Sequence, residues 1–227
     1  MKRSSSIAAL LKNANQDFKA VRIAYDASLH EKHVRDDLRV EIKNIFENLR
    51  SCLDYLAQDI FETHCSSSRK PNSLYFPIRT TPNDFDQTIA KDFPNLKSTS
   101  RIVFDILEEV QPYKNLWLGQ FNQLNNHNKH QDLVEQTRIE QPQVTVSRGG
   151  GSVSWNPTGV TFGSGVSVMG VSIDPRTQMP APNNVLRTEV AIWVDFRFRE
   201  IDQSVIPFLN TSTKSIEKLF RDLQPHV

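Results

Sequence analysis

The chain of 227 residues is 38% apolar and 23% charged, a composition typical of folded globular proteins and unlike that of disordered chains. Its 27 basic and 26 acidic side chains give a net charge of +1. No global electrostatic field therefore draws the protein to nucleic acid, so binding to a polyanion would need a local basic patch. The length suits one large domain or a core with an appended second layer.

Cysteine usage and hydropathy bear on the compartment. Cys52 and Cys65 are too few and too scattered for a disulfide framework or a zinc motif, and they favour a reducing cytoplasm. Residues 1–7 include basic side chains but only a short apolar run follows, which makes a poor signal peptide. No window approaches the roughly 18 consecutive apolar residues of a membrane-spanning helix. We therefore expect a cytoplasmic protein that does not enter a membrane.

Apolar residues at helical spacing predict four helices before residue 138. The expected helices cover residues 5–33, about 38–60, 98–110 and 114–135. The second is the clearest, because its apolar residues form one stripe over about six turns, at Leu38, Ile42, Ile45, Leu49, Cys52 or Leu53, Leu56 and Ile60. The polar run at residues 66–72 should end it. An irregular, proline-punctuated segment to about Pro94 should follow, held to the bundle by Phe76 and Ile78.

After residue 138 the apolar period changes to two, which predicts an antiparallel meander with one wet face. The alternating pairs are Val144 and Val146, Val153 and Trp155, Val160 and Phe162, Val166 and Val168, Val171 and Ile173, and then the run from Val190 to Phe198. A loop is expected at 174–184 and a last helix at 202–223. The predicted fold is therefore α+β: an N-terminal helical bundle (1–137), then a small antiparallel β-sheet and a C-terminal helix that packs back on the bundle (138–227).

The second helix carries a group of polar residues beside its apolar stripe. Arg50 and Asp54 lie at i and i+4 and flank the stripe, whereas Tyr55 points to another side. An ordinary intrahelical ion pair would explain Arg50 and Asp54 as well as a functional site would. The ring of Tyr55 is equally compatible with simple packing.

The fourth helix presents Asn126, Lys129 and His130 at i, i+3 and i+4, on one face. We expect the Lys129 ammonium to lower the pKa of His130 by charge repulsion, which favours a neutral imidazole able to accept a proton. An amide beside an ammonium also suits a phosphate or carboxylate oxygen. A solvated helix end is the alternative. His127 and His130 lack a facing pair of ligands, so no metal site is expected.

Three segments together resemble a known family. They are Leu49-Arg50-Ser51-Cys52-Leu53-Asp54-Tyr55, Phe76-Pro77-Ile78, and Leu124-Asn125-Asn126 with Lys129-His130. They look like a widespread group of uncharacterised bacterial proteins and resemble the HEPN superfamily (higher eukaryotes and prokaryotes nucleotide-binding), over about residues 38–135. Helical bundles of that superfamily often act as metal-independent ribonucleases in toxins and phage defence. Its signature is R-x-x-x-x-H; Arg50 matches the arginine, Ser51 matches the polar residue that often follows, and Tyr55 replaces the histidine.

The resemblance implies cleavage of RNA by attack of a ribose 2′-hydroxyl on its own phosphate, without a metal or other cofactor. Arg50 would hold the phosphate and stabilise the developing charge. Because Tyr55 is a poor general base at neutral pH, we expect His130 to take the proton, with Lys129 on the phosphate and Asn126 orienting it. Ser51 and Asp54 would be binding residues. The family usually forms its cleft at a two-fold interface, which implies a homodimer through the bundle.

Two other hypotheses use the same residues. Loss of the motif histidine fits a non-catalytic binding or scaffold module whose partner is a nucleotide, nucleic acid or cognate protein. A nucleotide pocket between bundle and sheet would use Arg50, Lys129 and His130 as anion ligands. Convergence of Arg50 and His130 on one cleft would favour an enzyme or a ligand site, and pairing of Arg50 with Asp54 alone at the surface would argue against both. The aromatic residues of the sheet are expected to be core.

Overall fold

The protein has the predicted α+β fold. The structure, a computed structural model, describes residues 1–28, 36–65, 71–130 and 133–227, and for residues 27, 28, 36, 129, 130 and 193 it describes the backbone only. The chain divides into two compact units. The helical unit comprises residues 1–137 and 197–227, and the sheet unit comprises residues 138–196. The division at 137/138 coincides with the change of apolar period, and the last helix groups with the earlier helices.

The described elements follow one another in the order helices, strands, helix. The helices are α1 Ser4–Ser28, α2 Asp36–His64, α3 Pro82–Asp92, α4 Leu96–Thr99, α5 Arg101–Glu109, α6 Leu116–His130 and α7 Val205–Leu223, with a 3₁₀ turn at Gln224–His226. The strands are β1 Gln136–Arg148, β2 Gly151–Trp155, β3 Ser167–Val168, β4 Val171–Asp174, β5 Met179–Pro180, β6 Arg187–Phe198 and β7 Gln203–Ser204. Within the described ranges no helix has both the length and the apolar character needed to cross a bilayer.

The core of the helical unit is built on the apolar stripe of α2. Every residue of the predicted stripe is buried, from Leu38 to Ile60. Phe46, on the same face of α2, packs against Phe121 of α6 and Phe208 of α7 with ring centroids 5.4 and 6.4 Å apart. Phe198 adds a further ring 5.9 Å from Phe46. Burial of these large rings contributes to the hydrophobic stabilisation that holds α2, α6 and α7 together.

A buried ion cluster fixes the start of α1 against α2. The Arg3 guanidinium contacts Asp59 at 2.6 Å and Glu62 at 2.7 Å, and the Arg3 backbone N–H donates to Asp59 at 2.9 Å. Asp59 is fully buried, so its charge needs these partners. The hydrogen bond from Arg3, with a second from Lys2, lowers the pKa of Glu62 to about 2.

The segment between α2 and α5, which we expected to be irregular to about Pro94, contains α3. The expectation of an irregular segment is wrong here, because Pro82 does not interrupt a helix but stands in its first turn, where its missing N–H costs nothing. The Thr81 side chain accepts the Asp84 N–H as an N-cap. Phe85 and Ile89, four residues apart, are buried and attach the helix to the core.

The sheet unit contains a β-hairpin and a small three-stranded sheet. β2 and β1 are antiparallel, with Val144 opposite Trp155 and Val146 opposite Val153. Gly149 and Gly150 both have positive φ, the requirement of a type I′ hairpin turn. β6 is the next neighbour of β1, and β3, β4 and β5 form the second sheet. The described residues of the buried cluster in the sheet unit are Val144, Val146, Trp155, Ile173 and Leu186.

One predicted strand, through Val160 and Phe162, is absent from the described residues. The backbone turns there because the Asn156 carbonyl accepts the N–H groups of both Gly159 and Val160. The Phe162 N–H donates to the side chain of Gln178 at 2.6 Å, and that side chain returns a bond to the Phe162 carbonyl at 3.3 Å. The Gln178 side chain therefore provides the hydrogen bonds that a neighbouring strand would otherwise make with Phe162. In contrast, the expected loop at 174–184 contains the short strand β5.

The ends of several helices differ from those predicted. The helix expected over 114–135 spans Leu116–His130, and residues 133–135 are not helical. The Val134 N–H donates to the Asn128 side chain at 2.9 Å instead of to a backbone carbonyl one turn back. The helix expected over 98–110 is divided into α4 and α5 at Ser100. Residues 29–33 of the expected first helix, loop residues 66–70, and residues 131–132 lie outside the described part of the chain.

Candidate functional site

The side chain of Asp54 joins α2 to the segment that follows it. One carboxylate oxygen accepts from the Arg50 Nε at 3.2 Å, and the other lies 3.2 Å from the Arg50 Nη2. The second oxygen also accepts the backbone N–H of Phe76 at 3.0 Å. The Arg50 Nη1 donates to the Asn122 side chain of α6, also at 3.2 Å. Arg50 and Asp54 have side chains that are 12% and 23% exposed, so this is a partly buried network and not a surface pair.

Two glutamines hold the rest of residues 73–79, which we call the anchored segment. The Gln58 side chain of α2 donates to the Leu74 carbonyl at 3.1 Å. The fully buried Gln111 donates to the Pro77 carbonyl and accepts the Arg79 N–H, both at 2.9 Å. Leu74 and Phe76 are themselves buried. The segment has no regular secondary structure, but its backbone is hydrogen-bonded at several points, so its side chains project from a fixed backbone.

A polar cleft lies between the anchored segment, α2, α3 and α6, all within the helical unit. Its volume is about 560 Å³. We call it the arginine cleft, after its two basic residues, and its lining is Arg50, Ser73, Tyr75, Phe76, Pro77, Ile78, Arg79, Thr88, Asp92, Asn122 and Asn126. Its charged side chains are two arginines and one carboxylate, Asp92, and the Asp54 carboxylate next to the lining offsets the charge of Arg50.

Arg79 provides the second guanidinium. Its Nε donates to the Thr88 hydroxyl of α3 at 2.7 Å, and its Nη1 donates to the Ile78 carbonyl at 2.9 Å. Within the described ranges no carboxylate forms an ion pair with Arg79. The guanidinium is therefore oriented by neutral groups. Because a guanidinium has five N–H donors in a planar fork, Arg79 and Arg50 both have donors left for an oxyanion.

The residues predicted from the sequence are only partly brought together. Arg50 and Asn126 line the arginine cleft, and the Asn126 amide has no hydrogen bond among the described residues. Asp54 lies behind Arg50 and orients it. Ser51 is occupied by a bond from its hydroxyl to the Glu47 carbonyl at 2.9 Å, and Tyr55, 37% exposed, does not line the cleft.

Lys129 and His130 occupy the last turn of α6, one helical turn beyond Asn126. Their side chains lie outside the described part of the structure. Convergence of Arg50 and His130 on one cleft therefore stays a prediction. The alternative, in which Arg50 pairs with Asp54 alone, does not hold, because Arg50 also contacts Asn122 and lines the cleft.

Sequence reasoning missed Tyr75, Arg79 and Asn122. Asn122 precedes Asn126 by four residues, so helical spacing alone places both on one face of α6. Leu74 and Phe76 alternate with Tyr75, a period of two that predicts an outward side chain for Tyr75 in an extended segment. Arg79 gave no local signal, because its position depends on Gln111 and Thr88, which are distant in sequence.

A second cleft of about 560 Å³ lies between α5, α6 and α7. Its charged residues are Asp105, Glu109, Asp222 and Lys218, and Lys218 is already paired with Asp222. We call it the acidic cleft. Its charge has the wrong sign for the anionic ligands that the sequence suggested.

Other reactive groups lie away from the arginine cleft. Burial raises the pKa of the Cys52 thiol to about 12 and that of the Cys65 thiol to about 11, so neither is a ready nucleophile. Among the described residues no group of three or more His, Cys, Asp or Glu side chains could hold a metal ion.

Comparisons with known proteins add no assignment. No protein-family model matches the chain, and neither the curated proteins nor the solved structures compared with it give a match.

Replacing Asp54 with alanine should destabilise the protein by about 1–3 kcal/mol, because the Phe76 N–H and the Arg50 guanidinium lose their common acceptor. The free energy of unfolding, measured by urea denaturation, checks this. Asp105→Ala is the matched control, since Asp105 also pairs with an arginine four residues away, but at an exposed site where an ion pair contributes little to stability. Equal losses in the two variants would contradict the role of Asp54 as an anchor.

Proposed function

We propose that the arginine cleft binds a phosphate-bearing ligand, either a nucleotide or RNA. The observation that supports this most directly is the pair of guanidinium groups, Arg50 and Arg79, that come from separate elements and line one polar cleft. Planar guanidinium forks match the geometry of phosphate oxygens, and charged hydrogen bonds are the strong ones. The protein as a whole is nearly neutral, so the two arginines of the cleft are not part of a general basic surface.

The two arginines are preorganised in different ways. Arg50 is held by Asp54 on its own helix and by Asn122 of α6, and the Asp54 carboxylate offsets its charge. Arg79 is oriented by a hydroxyl and a carbonyl, both of which are neutral. A ligand therefore has little side-chain entropy to remove on binding, which favours affinity. The free amide of Asn126 adds a donor and an acceptor for the rest of the ligand.

Size and polarity fit the same class of ligand. A volume of about 560 Å³ lies within the range of roughly 300–1,000 Å³ that is usual for small-molecule sites. The lining also contains hydroxyl groups, from Ser73 and Thr88, beside the arginines and amides. The apolar side chains of the lining, Phe76, Pro77 and Ile78, belong to the anchored segment; Phe76 and Pro77 are buried and Ile78 is half-buried. The cleft therefore suits a polar anion better than an apolar molecule.

Metal-independent RNA cleavage at this cleft is the second candidate, favoured by the position of Asn126 one helical turn before His130 on the same helix. Arg50 would contact the phosphate, and His130, with Lys129, would act from the last turn of α6 or across a homodimer. This function belongs to the HEPN superfamily that the sequence resembles. Its test is incubation of total tRNA and mRNA with the protein in EDTA. Discrete fragments with cyclic phosphate ends, lost in both Arg50→Ala and His130→Ala, would support cleavage, and intact RNA would leave binding alone.

For the binding proposal we expect Arg79→Gln to weaken the affinity for ADP or for a single-stranded RNA octamer by about tenfold or more, because it removes a charged hydrogen-bond donor from the cleft. Isothermal titration calorimetry at fixed ionic strength measures this. Arg79 is exposed, so the variant should fold normally. Arg101→Gln is the matched control, because it removes the same charge from α5, outside the cleft.

Two results would contradict the binding proposal. One is that neither probe binds at millimolar concentration. The other is that Arg79→Gln and Arg101→Gln weaken binding equally, which would mean that any phosphate contact is non-specific.

A further inference from the structure

Tyr75 is an exposed aromatic residue on a rigid stretch of backbone. Its side chain is 61% exposed, whereas its neighbours Leu74 and Phe76 are buried. The Leu74 carbonyl is bonded to Gln58 and the Phe76 N–H to Asp54, so the backbone is fixed on both sides of Tyr75. The ring is therefore held outward by its own anchors and not left outward by a mobile loop.

Nothing in the described part of the fold makes use of this ring. Tyr75 has no hydrogen bond, ion pair or ring contact with the described residues. Tyr55 is the other exposed tyrosine of the helical unit, and it lies away from the arginine cleft, whereas Tyr75 lines the cleft together with both arginines. An exposed aromatic face beside two phosphate-binding groups is the arrangement that single-stranded nucleic acid sites use, because bases stack on the ring while cations hold the backbone.

We propose that Tyr75 is a stacking platform for an unpaired nucleobase, so that the ligand of the arginine cleft is a nucleotide or a single-stranded RNA. This inference rests on the proposed binding of phosphate at Arg50 and Arg79. A phosphate held by the arginines places the attached sugar and base within the same cleft that Tyr75 lines. Stacking on a tyrosine is tolerant of sequence, since every base has a π face, so Tyr75 sets the class of ligand and not its sequence.

The test compares a single-stranded RNA octamer with an abasic octamer of the same ribose-phosphate backbone, by fluorescence anisotropy of labelled probes. We expect Tyr75→Ala to weaken RNA binding about tenfold and to leave abasic binding unchanged. Tyr75→Phe should retain wild-type affinity for both, because the ring and not the hydroxyl carries the interaction. Ile102→Ala, at an exposed apolar residue outside the cleft, is the control for loss of surface area.

The possible results distinguish failure of stacking on Tyr75 from failure of phosphate binding at Arg50 and Arg79. Unchanged RNA binding in Tyr75→Ala, or an equal loss with both probes, would overturn the stacking role and leave phosphate binding intact. No binding of either probe to the wild type would overturn both. A third titration, with adenosine 5′-monophosphate, distinguishes a free nucleotide from an RNA chain as the ligand. If the dependence on Tyr75 is the same for the monophosphate, a free nucleotide suffices; if it is seen with the octamer alone, the ligand is an RNA chain.

Discussion

The carboxylate of Asp54 accepts hydrogen bonds from two groups that would otherwise be independent. One is the guanidinium of Arg50 on its own helix, and the other is the backbone N–H of Phe76 in the segment that follows. A charged acceptor is well suited to this position, because bonds to a carboxylate are stronger than those to a neutral oxygen. Asp54 therefore orients Arg50 and helps to hold the anchored segment in place.

The side chain of Gln111 holds a further part of the anchored segment. Gln111 is fully buried, and such a side chain is costly unless its donors and acceptor are all used. It meets that condition by bonding to the Pro77 carbonyl, the Leu107 carbonyl and the Arg79 N–H. The same bonds fix the backbone from which Arg79 projects. The same hydrogen bonds that satisfy these buried groups therefore preorganise the arginine cleft.

The sequence predicts what depends on local period and fails where distant residues decide. The stripe of α2 and the change of period at residue 138 are visible in the chain, and both are confirmed. α3 is not predicted, because prolines usually mark loops, whereas Pro82 begins this helix. The alternation of Val160 and Phe162 predicts a strand. That prediction fails because the side chain of Gln178, which is distant in sequence, bonds to the Phe162 backbone. Arg50 and Asn126 could be chosen by helical spacing, but Arg79 reaches the cleft only through tertiary contacts.

The central claim is that the arginine cleft is where a phosphate-bearing ligand binds. The most direct measurement is the ¹H–¹⁵N spectrum of the protein during titration with adenosine 5′-monophosphate, since it reports the position of a ligand as well as its affinity. We predict saturable chemical-shift changes concentrated at the amides of Phe76, Arg79, Asn122 and Asn126. Shifts concentrated instead around the acidic cleft, or no saturable shift at millimolar ligand, would contradict it.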